Sequence, residues 1–254
     1  MINLNNYSVV LLSAGIGRRL GTLGKKYPKC LLKINNKTLI ELLLNNLKKR
    51  NAKRISMIVG YKSQMLIKFL KKVKGIKINF IKIGGYKING HSYSWFKYRN
   101  QWLKEKKPLV LIHADIHFDP IYLDNIMKSK KNNIIGIKHK TNHKFKRNTL
   151  KEHYVVKIDK KNKIKQINPA NRINKPQGEI IGINKFSKET TGKIFKFMEK
   201  FFAVGNKALS WEIFLNHYIQ QTKESFFVLK NQSYSWININ TFGDYLKAKM
   251  LKFD

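Results

Sequence analysis

The stretch LSAGIGRRLGTLGKKYPKCLL occupies residues 12–32, and the order of its parts decides how the rest of the chain is read. It opens as the end of an apolar strand, Val9 to Leu12, breaks into small residues, and runs through arginines to a Pro-Lys pair. Gly15, Gly17, Gly21 and Gly24 let the backbone reach positive φ and let a ligand approach the main chain. Backbone N–H groups of Ala14 to Gly17 in such a turn suit a phosphate chain, with Arg19 and Lys29 placed to neutralise its charge. A solvated basic loop has the same composition, so the surrounding sequence must decide. The stretch is not a P-loop, because no Gly-Lys-Ser/Thr follows, and the G-x-G-x-x-G spacing is absent.

Outward from this turn, apolar β-branched runs alternate with helical spacing. Ser8 to Leu12, Ile55 to Val59, Lys77 to Ile83 and Leu109 to His113 read as strands, and Leu39 to Lys49, Gln64 to Val73 and Tyr93 to Leu103 as helices. Repeated β-α-β of this kind predicts an α/β fold: a Rossmann-like, open, mostly parallel sheet with helices on both faces. The second half is less regular. Strands are expected at Ile134 to Lys138, Glu179 to Asn184 and Phe226 to Leu229, with a hairpin over Tyr154 to Ile167 turning at DKKNK. Helices are expected from Lys188 to Phe202, from Ser210 to Gln220 and from Phe242 onward, so a small antiparallel addition joins the parallel sheet. Ligands on such sheets bind beyond the carboxyl ends of the strands. Four places therefore matter: the first loop, residues 84–94, Asp115, and residues 236–240.

The 254 residues, 43% of them hydrophobic, are enough for a full core, and no Pro/Ser/Gly-rich linker or internal repeat interrupts them. One domain over residues 1–254 is expected. No apolar run approaches the roughly 18 to 20 residues of a membrane helix, and the amino terminus lacks a charged leader region, so neither membrane insertion nor a signal peptide is expected. A single cysteine, Cys30, excludes an internal disulfide and suits a reducing cytoplasm. The charge is extreme: 52 Lys and Arg against 14 Asp and Glu give a net +38. Such a field attracts polyanions, but the lysines are spread along nearly the whole chain beside abundant Asn and Ile, all with AT-rich codons. Base composition explains this as well as a binding role, and no specific nucleic-acid partner is expected. With so few acids, each carboxylate at a strand end is informative.

The first loop resembles the signature of nucleotidyltransferases that make nucleoside-diphosphate sugars and alcohols, L-A-A-G-x-G-x-R-L followed by Pro-Lys and an apolar run. Leu12, Ser13, Ala14, Gly15, Gly17, Arg19, Leu20, Pro28, Lys29, Leu31 and Leu32 match it, and INNKTLIE continues it. The matches run from residue 9 to about residue 251 and are weak between 138 and 176. The resemblance implies the nucleotide-diphospho-sugar transferase fold, with Arg19 and Lys29 as catalytic groups holding a triphosphate. It also implies nucleotide binding by Ser13, Ala14, Gly15 and Gly17, while Arg18 falls at a variable position. Phosphoryl-type transfer needs positioning and charge neutralisation more than a base, which agrees with that assignment.

In HADIHFDP the resemblance places a Mg²⁺-binding aspartate at Asp115. Strand alternation, read independently, would put His113, Asp115 and His117 on one face, so a transition-metal site stays open there. Asp119 reads as a turn residue before Pro120. The family's second metal-binding segment, W-x-[DE]-I-D-T-x-x-D-Y, is matched by Trp236 to Tyr245, but Asn238 and Asn240 stand where acids are expected. An Asn carbonyl ligates Mg²⁺ without adding charge; the departure also admits a homologue without activity. Asp244 reads as the acid that starts the last helix.

The segment GGYKINGHSYSWF resembles the base-pocket element of the family's cytidylyltransferases, with Gly85, Tyr86, Asn89, Tyr93 and Ser94 as matches; helix capping by Ser92 or Ser94 is the structural alternative. GEIIGINKFSKE, from Gly178, resembles an element of phosphocholine and aminoethylphosphonate cytidylyltransferases and implies that Glu179 faces the acceptor. Trp95, Trp211, Tyr234 and Trp236 offer faces for an ammonium head, or are simply core. The expected activity is transfer of a nucleotidyl group from an NTP, CTP by resemblance, to a small phosphorylated or phosphonylated acceptor. Sugar-1-phosphate or inositol-1-phosphate nucleotidyl transfer, a nucleic-acid-binding protein and a nucleotide-binding pseudoenzyme are the alternatives. The acceptor and the oligomeric state, a homo-oligomer included, stay open.

Overall fold

A computed structural model describes residues 2–86, 88–139, 153–205, 207–229 and 235–253. Its first strand is β1 (Ser8–Ser13), followed by the glycine-rich turn, the short helix α1 (Thr22–Lys26), and a two-stranded ribbon, β2 (Lys33–Ile34) and β3 (Lys37–Thr38). Next come α2 (Leu39–Lys49), β4 (Arg54–Val59), α3 (Ser63–Leu70) and β5 (Lys77–Lys82). The start of α2 is fixed by a capping box: Thr38 Oγ1 accepts from the Glu41 N–H while the Glu41 carboxylate accepts from the Thr38 N–H. The helix expected over Tyr93 to Leu103 is two, α4 (His91–Phe96) and α5 (Arg99–Glu105). The break lets Trp95 and Tyr98 both enter the core, where neither keeps any exposed surface.

Strand β6 (Leu109–His113) is followed after two residues by β7 (Ile116–Phe118), then α6 (Pro120–Lys128), whose amino end Asp119 caps. The rest of the chain supplies β8 (Ile134–His139), the hairpin β9 (Tyr154–Ile158) and β10 (Ile164–Pro169), and β11 (Gly178–Phe186). It ends with α7 (Lys188–Ala203), α8 (Trp211–Thr222), β12 (Trp236–Asn238) and α9 (Phe242–Met250). The strand expected at Phe226 to Leu229 does not form. Phe227 makes only isolated bridges, to Ile134 and Lys163, because it packs across strand ends instead of joining the ladder.

The main sheet runs in the order β10-β9-β11-β6-β1-β4-β5, with β8 on the other edge of β11. Strands β6, β1, β4 and β5 are parallel, and β8 to β11 form the antiparallel addition. Alternation sorts the side chains between two faces. Val9 and Leu11 of β1 pack with Leu43, Leu47 and Tyr122, whereas Val10 packs with Trp95, Phe195 and Phe214 on the opposite face. Two structural pairs brace this frame. Arg50, at the end of α2, donates from Nε and Nη2 to both Asp124 oxygens on α6, at 2.5 and 2.8 Å. The second is a two-way bond in which Tyr122 Oη accepts from the Ile137 N–H and donates to its carbonyl, both at 2.7 Å.

Candidate active site

Beyond the carboxyl end of β1, a cavity of about 400 Å³ is lined by three parts of the chain: Ser13 to Arg19 with Lys29, then Asp115, then Asn238 and Asn240. Parallel pairing explains the first two. Leu12 aligns with His113, and the Ala114 N–H donates to the Leu12 carbonyl at 2.9 Å, so the turn holding Asp115 is anchored beside the glycine loop. Antiparallel pairing of β12 with β7 brings in the third: Trp236 faces Phe118, Asn238 faces Ile116, and the Ile239 N–H donates to the Asp115 carbonyl at 2.9 Å. Asp244 starts α9 as expected, capping Thr241 and also accepting from the Asn240 N–H at 3.2 Å.

Lys29 is the hub. Its Nζ donates to Asp115 Oδ2 at 2.8 Å and to Asn240 Oδ1 at 2.7 Å, joining residues 86 and 211 positions apart. Burial by itself would raise the Asp115 carboxyl, but the Lys29 ammonium, with smaller help from the buried imidazoles, outweighs it and holds the group below its ordinary value. Asp115 is therefore an anion. Ser13 Oγ is turned to the Ile58 carbonyl, 3.0 Å away, which ties the loop to β4. Arg18 and Arg19 are exposed at the cavity rim.

Donor chemistry gives a test of the implied Mg²⁺. Asn238 Oδ1 is buried and has no hydrogen-bond partner among the described residues, and it shares the cavity wall with the Asp115 carboxylate. Two hard oxygens of this kind fit Mg²⁺, which prefers few protein ligands plus phosphate and water. Asn240 Oδ1 is instead taken by Lys29. The expectation that His113, Asp115 and His117 share a face is corrected. Strand β6 ends at His113 and β7 begins at Ile116, so Asp115 lies in a turn and the alternation restarts. His117 points away, with its ring 4.6 Å from that of Phe253, and no metal cluster of His, Cys, Asp and Glu forms among the described residues.

The segment at 84–94 reaches the cavity through His91 and Ser94. Gly85, Tyr86 and Asn89 form the preceding turn, the Asn89 N–H donating to the Gly85 carbonyl at 2.8 Å and Tyr86 packing edge-on to Tyr61. Helix capping by Ser92 or Ser94 is not what the structure has: Gly90 starts α4, Ser92 Oγ donates to the Leu209 carbonyl at 2.7 Å, and Ser94 Oγ to that of Gly90 at 3.2 Å. Gly90 is needed there because a Cβ would lie 1.8 Å from the Leu209 oxygen. Glu179 is not in the cavity wall; its carboxylate meets His153 Nδ1 at 2.5 Å. Trp95 is core, stacked on Phe186, Trp236 packs against the core of the first face, and Tyr234 lies outside the described residues.

One wall was not anticipated from sequence. Tyr154 of β9, Ser210 just before α8, Glu212 of α8 and His113 complete the lining of the cavity. Glu212 is 8% exposed, and its Oε2 has no partner among the described residues; the same holds for His113 Nε2. Burial lowers the His113 imidazole to about 4, so it is neutral at pH 7. Burial raises the Glu212 carboxyl from 4.5 to about 7. The folded chain thus keeps the Glu212 proton up to about pH 7, whereas the unfolded chain releases it near 4.5, so this group lowers stability as pH rises through that window. Glu212→Gln, which cannot titrate, should therefore gain in melting temperature over the native chain at pH 8 and not at pH 4, as thermal unfolding at the two pH values will show.

A model of the family described as Nucleotidyl transferase matches residues 8–251. Among curated proteins, the chain is 26% identical over 205 residues to the CTP:phosphoglutamine cytidylyltransferase of Campylobacter jejuni, covering 76% of this chain and 78% of that one. Among solved structures it is similar to the CTP:phosphocholine cytidylyltransferase of Streptococcus pneumoniae, with a TM-score of 0.73, 21% identity, and coverage of 96% and 98%. The inositol-1-phosphate CTP transferase of T. maritima matches with a TM-score of 0.76, 17% identity, and 97% coverage of both chains.

Proposed function

Because the chain belongs to the nucleotidyl transferase family, we propose that it transfers CMP from CTP to a small phosphorylated or phosphonylated acceptor and releases pyrophosphate. The observation that carries this reading is the Lys29–Asp115 pair, 2.8 Å apart, set into the wall of the cavity that the glycine loop opens. A cytidylyltransferase relative aligned over three quarters of the chain supports the nucleotide and the acceptor class. The working unit is all of residues 1–254 as one domain, since β12 near the carboxyl end completes a wall begun by β1. Its single cysteine, buried and free, suits the reducing cytoplasm.

In this reading the backbone from Ser13 to Gly17 holds the triphosphate, with Arg19 on its outer phosphates. Gly85, Tyr86, Asn89 and Ser94 line the approach for the base. An acceptor oxygen, already ionised at pH 7, attacks the α-phosphorus; the new P–O bond forms as the bond to pyrophosphate breaks, and pyrophosphate leaves with the electron pair. Lys29 neutralises the charge that builds on the α-phosphate oxygens. Asp115 and Asn238 would hold Mg²⁺, which when bound supplies further charge neutralisation to the phosphates. No side-chain nucleophile is required.

Pyrophosphate release with Mg²⁺, each of four NTPs and a panel of phosphocholine, 2-aminoethylphosphonate, glycerol phosphate and sugar 1-phosphates tests the proposal. CTP with one acceptor class is the expected result. A product carrying a sugar or inositol would move the assignment to that branch of the family. Bound CTP with no release across the panel would favour the pseudoenzyme that Asn238 and Asn240 admit.

A further inference from the structure

We propose that the chain carries a second anion site, at the opposite end of the main sheet from the active cavity, which takes a compact chain of two or more phosphate groups. A cavity of about 330 Å³ opens there between the amino ends of β1 and β4. These strands pair with each other only from Val10 and Ser56 onward. Ser8 and Val9 pair with β6 but not with β4, Arg54 and Ile55 pair with β5 but not with β1, and all four line the gap. Three separate parts of the chain bring cations to it: Lys53 and Arg54 where β4 begins, Lys77 where β5 begins, and Lys107 after α5. No residue of the active cavity lines this gap, so its occupancy does not depend on the proposed reaction.

The positive charge gathered here is left uncompensated. Arg54 and Lys77 are register partners at the first positions of β4 and β5, and partners in a ladder leave the same face, so two cations stand side by side. The one acid in the lining is Glu105, whose carboxylate accepts from Ser8 Oγ at 2.6 Å, Gln101 Nε2 at 2.8 Å and Tyr98 Oη at 3.3 Å. Those donors are neutral, and among the described residues Lys53, Arg54 and Lys77 make no ion pair with any acid. Lys107 Nζ is held by the Asn5 carbonyl at 2.9 Å. Elsewhere the chain gives its cations acids, as in Arg50 with Asp124, Arg99 with Glu199 and Lys165 with Asp159. A concavity with apolar wall such as Val9 and Ile55, lined by one sign of charge, focuses the field on the space inside. Cations converging on one small space suit several negative charges close together, whereas a nucleic-acid strand calls for cations spread along a groove. The guanidinium fork of Arg54 matches a phosphate, and the lysines add point charges around it.

Amide hydrogen exchange of the full chain, followed against tripolyphosphate concentration at fixed ionic strength and without divalent metal, tests the site and locates the anion. Residues 7–9 and 53–56 should gain protection, separately from any gain in the loop at residues 13–19. In the triple variant Lys53→Gln, Arg54→Gln, Lys77→Gln, that protection should need about tenfold more tripolyphosphate or disappear. Lys247→Gln, Lys249→Gln, Lys252→Gln, which removes the same charge from exposed positions in and after α9, should behave as the native chain. Without ligand the first variant should unfold at the native temperature or above it, because like charges have been removed, so a folding defect is distinguished from a lost site. ATP separates the two sources of a phosphate chain. Protection by ATP equal to that by tripolyphosphate assigns the tail of a nucleotide, weaker protection assigns a free inorganic chain, and either upholds the site. Absence of protection at residues 7–9 and 53–56, equal protection by orthophosphate, or the same response in the two triple variants would overturn the inference.

Discussion

Lys29→Ala is expected to lower kcat about 10³-fold, roughly 4 kcal/mol of transition-state stabilisation, with a much smaller change in the KM for CTP. The Lys29 side chain is 14% exposed, and its ammonium is held by Asp115 Oδ2 and Asn240 Oδ1. A group fixed in this way gives up little orientational freedom when charge develops on the α-phosphate, so its removal falls on the chemical step more than on binding. Lys29→Arg should restore only a small part, because a planar fork cannot occupy a position built for a compact three-donor head. Turnover within a few-fold of the native enzyme in Lys29→Ala would end the assignment. A second effect follows from the same pair. Lys29 holds the Asp115 carboxyl below its ordinary value, and that stabilisation is present above the ordinary value of 3.8 and lost on acidification. The alanine variant should therefore unfold at lower temperature at neutral pH and converge on the native chain in acid.

The next largest effect is expected at Gly24, which lies in α1 and not in the cavity. A Cβ there would sit 2.2 Å from the Gly17 carbonyl oxygen and 3.2 Å from Leu20 Cβ. Gly17, at φ 68°, is the left-handed residue that turns the loop, and its carbonyl accepts from the Leu20 N–H at 3.0 Å. No flexible side chain can yield, because the clash is with backbone. Gly24→Ala must push the loop away from α1, costing about 1–3 kcal/mol in stability and roughly 10²-fold in kcat/KM through misplaced phosphate donors. Gly15→Ala is the matching control for stability, since its Cβ would have no atom within 4 Å. Unfolding curves for the two variants, with kinetics for Gly24→Ala, decide the matter. If Gly24→Ala turned over normally, the loop would not need the geometry described.

What the amino-acid sequence determined by itself was what short-range sterics and periodicity encode. The turn after Leu12, the helix at Leu39–Lys49 with Thr38 and Glu41 at its start, and the apolar run of Ser8 to Leu12 are each settled within a few residues. The family signature is local as well, and Ser13 to Gly17, Arg19, Lys29, Asp115, Asn238 and Asn240 do line one cavity. Tertiary structure decided the rest. The two residues between β6 and β7 reset the face on which Asp115 lies, and a strand pattern carries no sign of that turn. Lys29 meets Asn240 only because β12 pairs antiparallel with β7 at the end of a parallel sheet. Glu179 and Glu212 look alike in sequence, each beside apolar residues. The sheet register carries Glu179 to His153, whereas the packing of α8 sets Glu212 in the cavity wall with an oxygen unpartnered among the described residues. Which carboxylate is desolvated, and which finds a partner, depends on side chains far apart in the chain, and no local period records it.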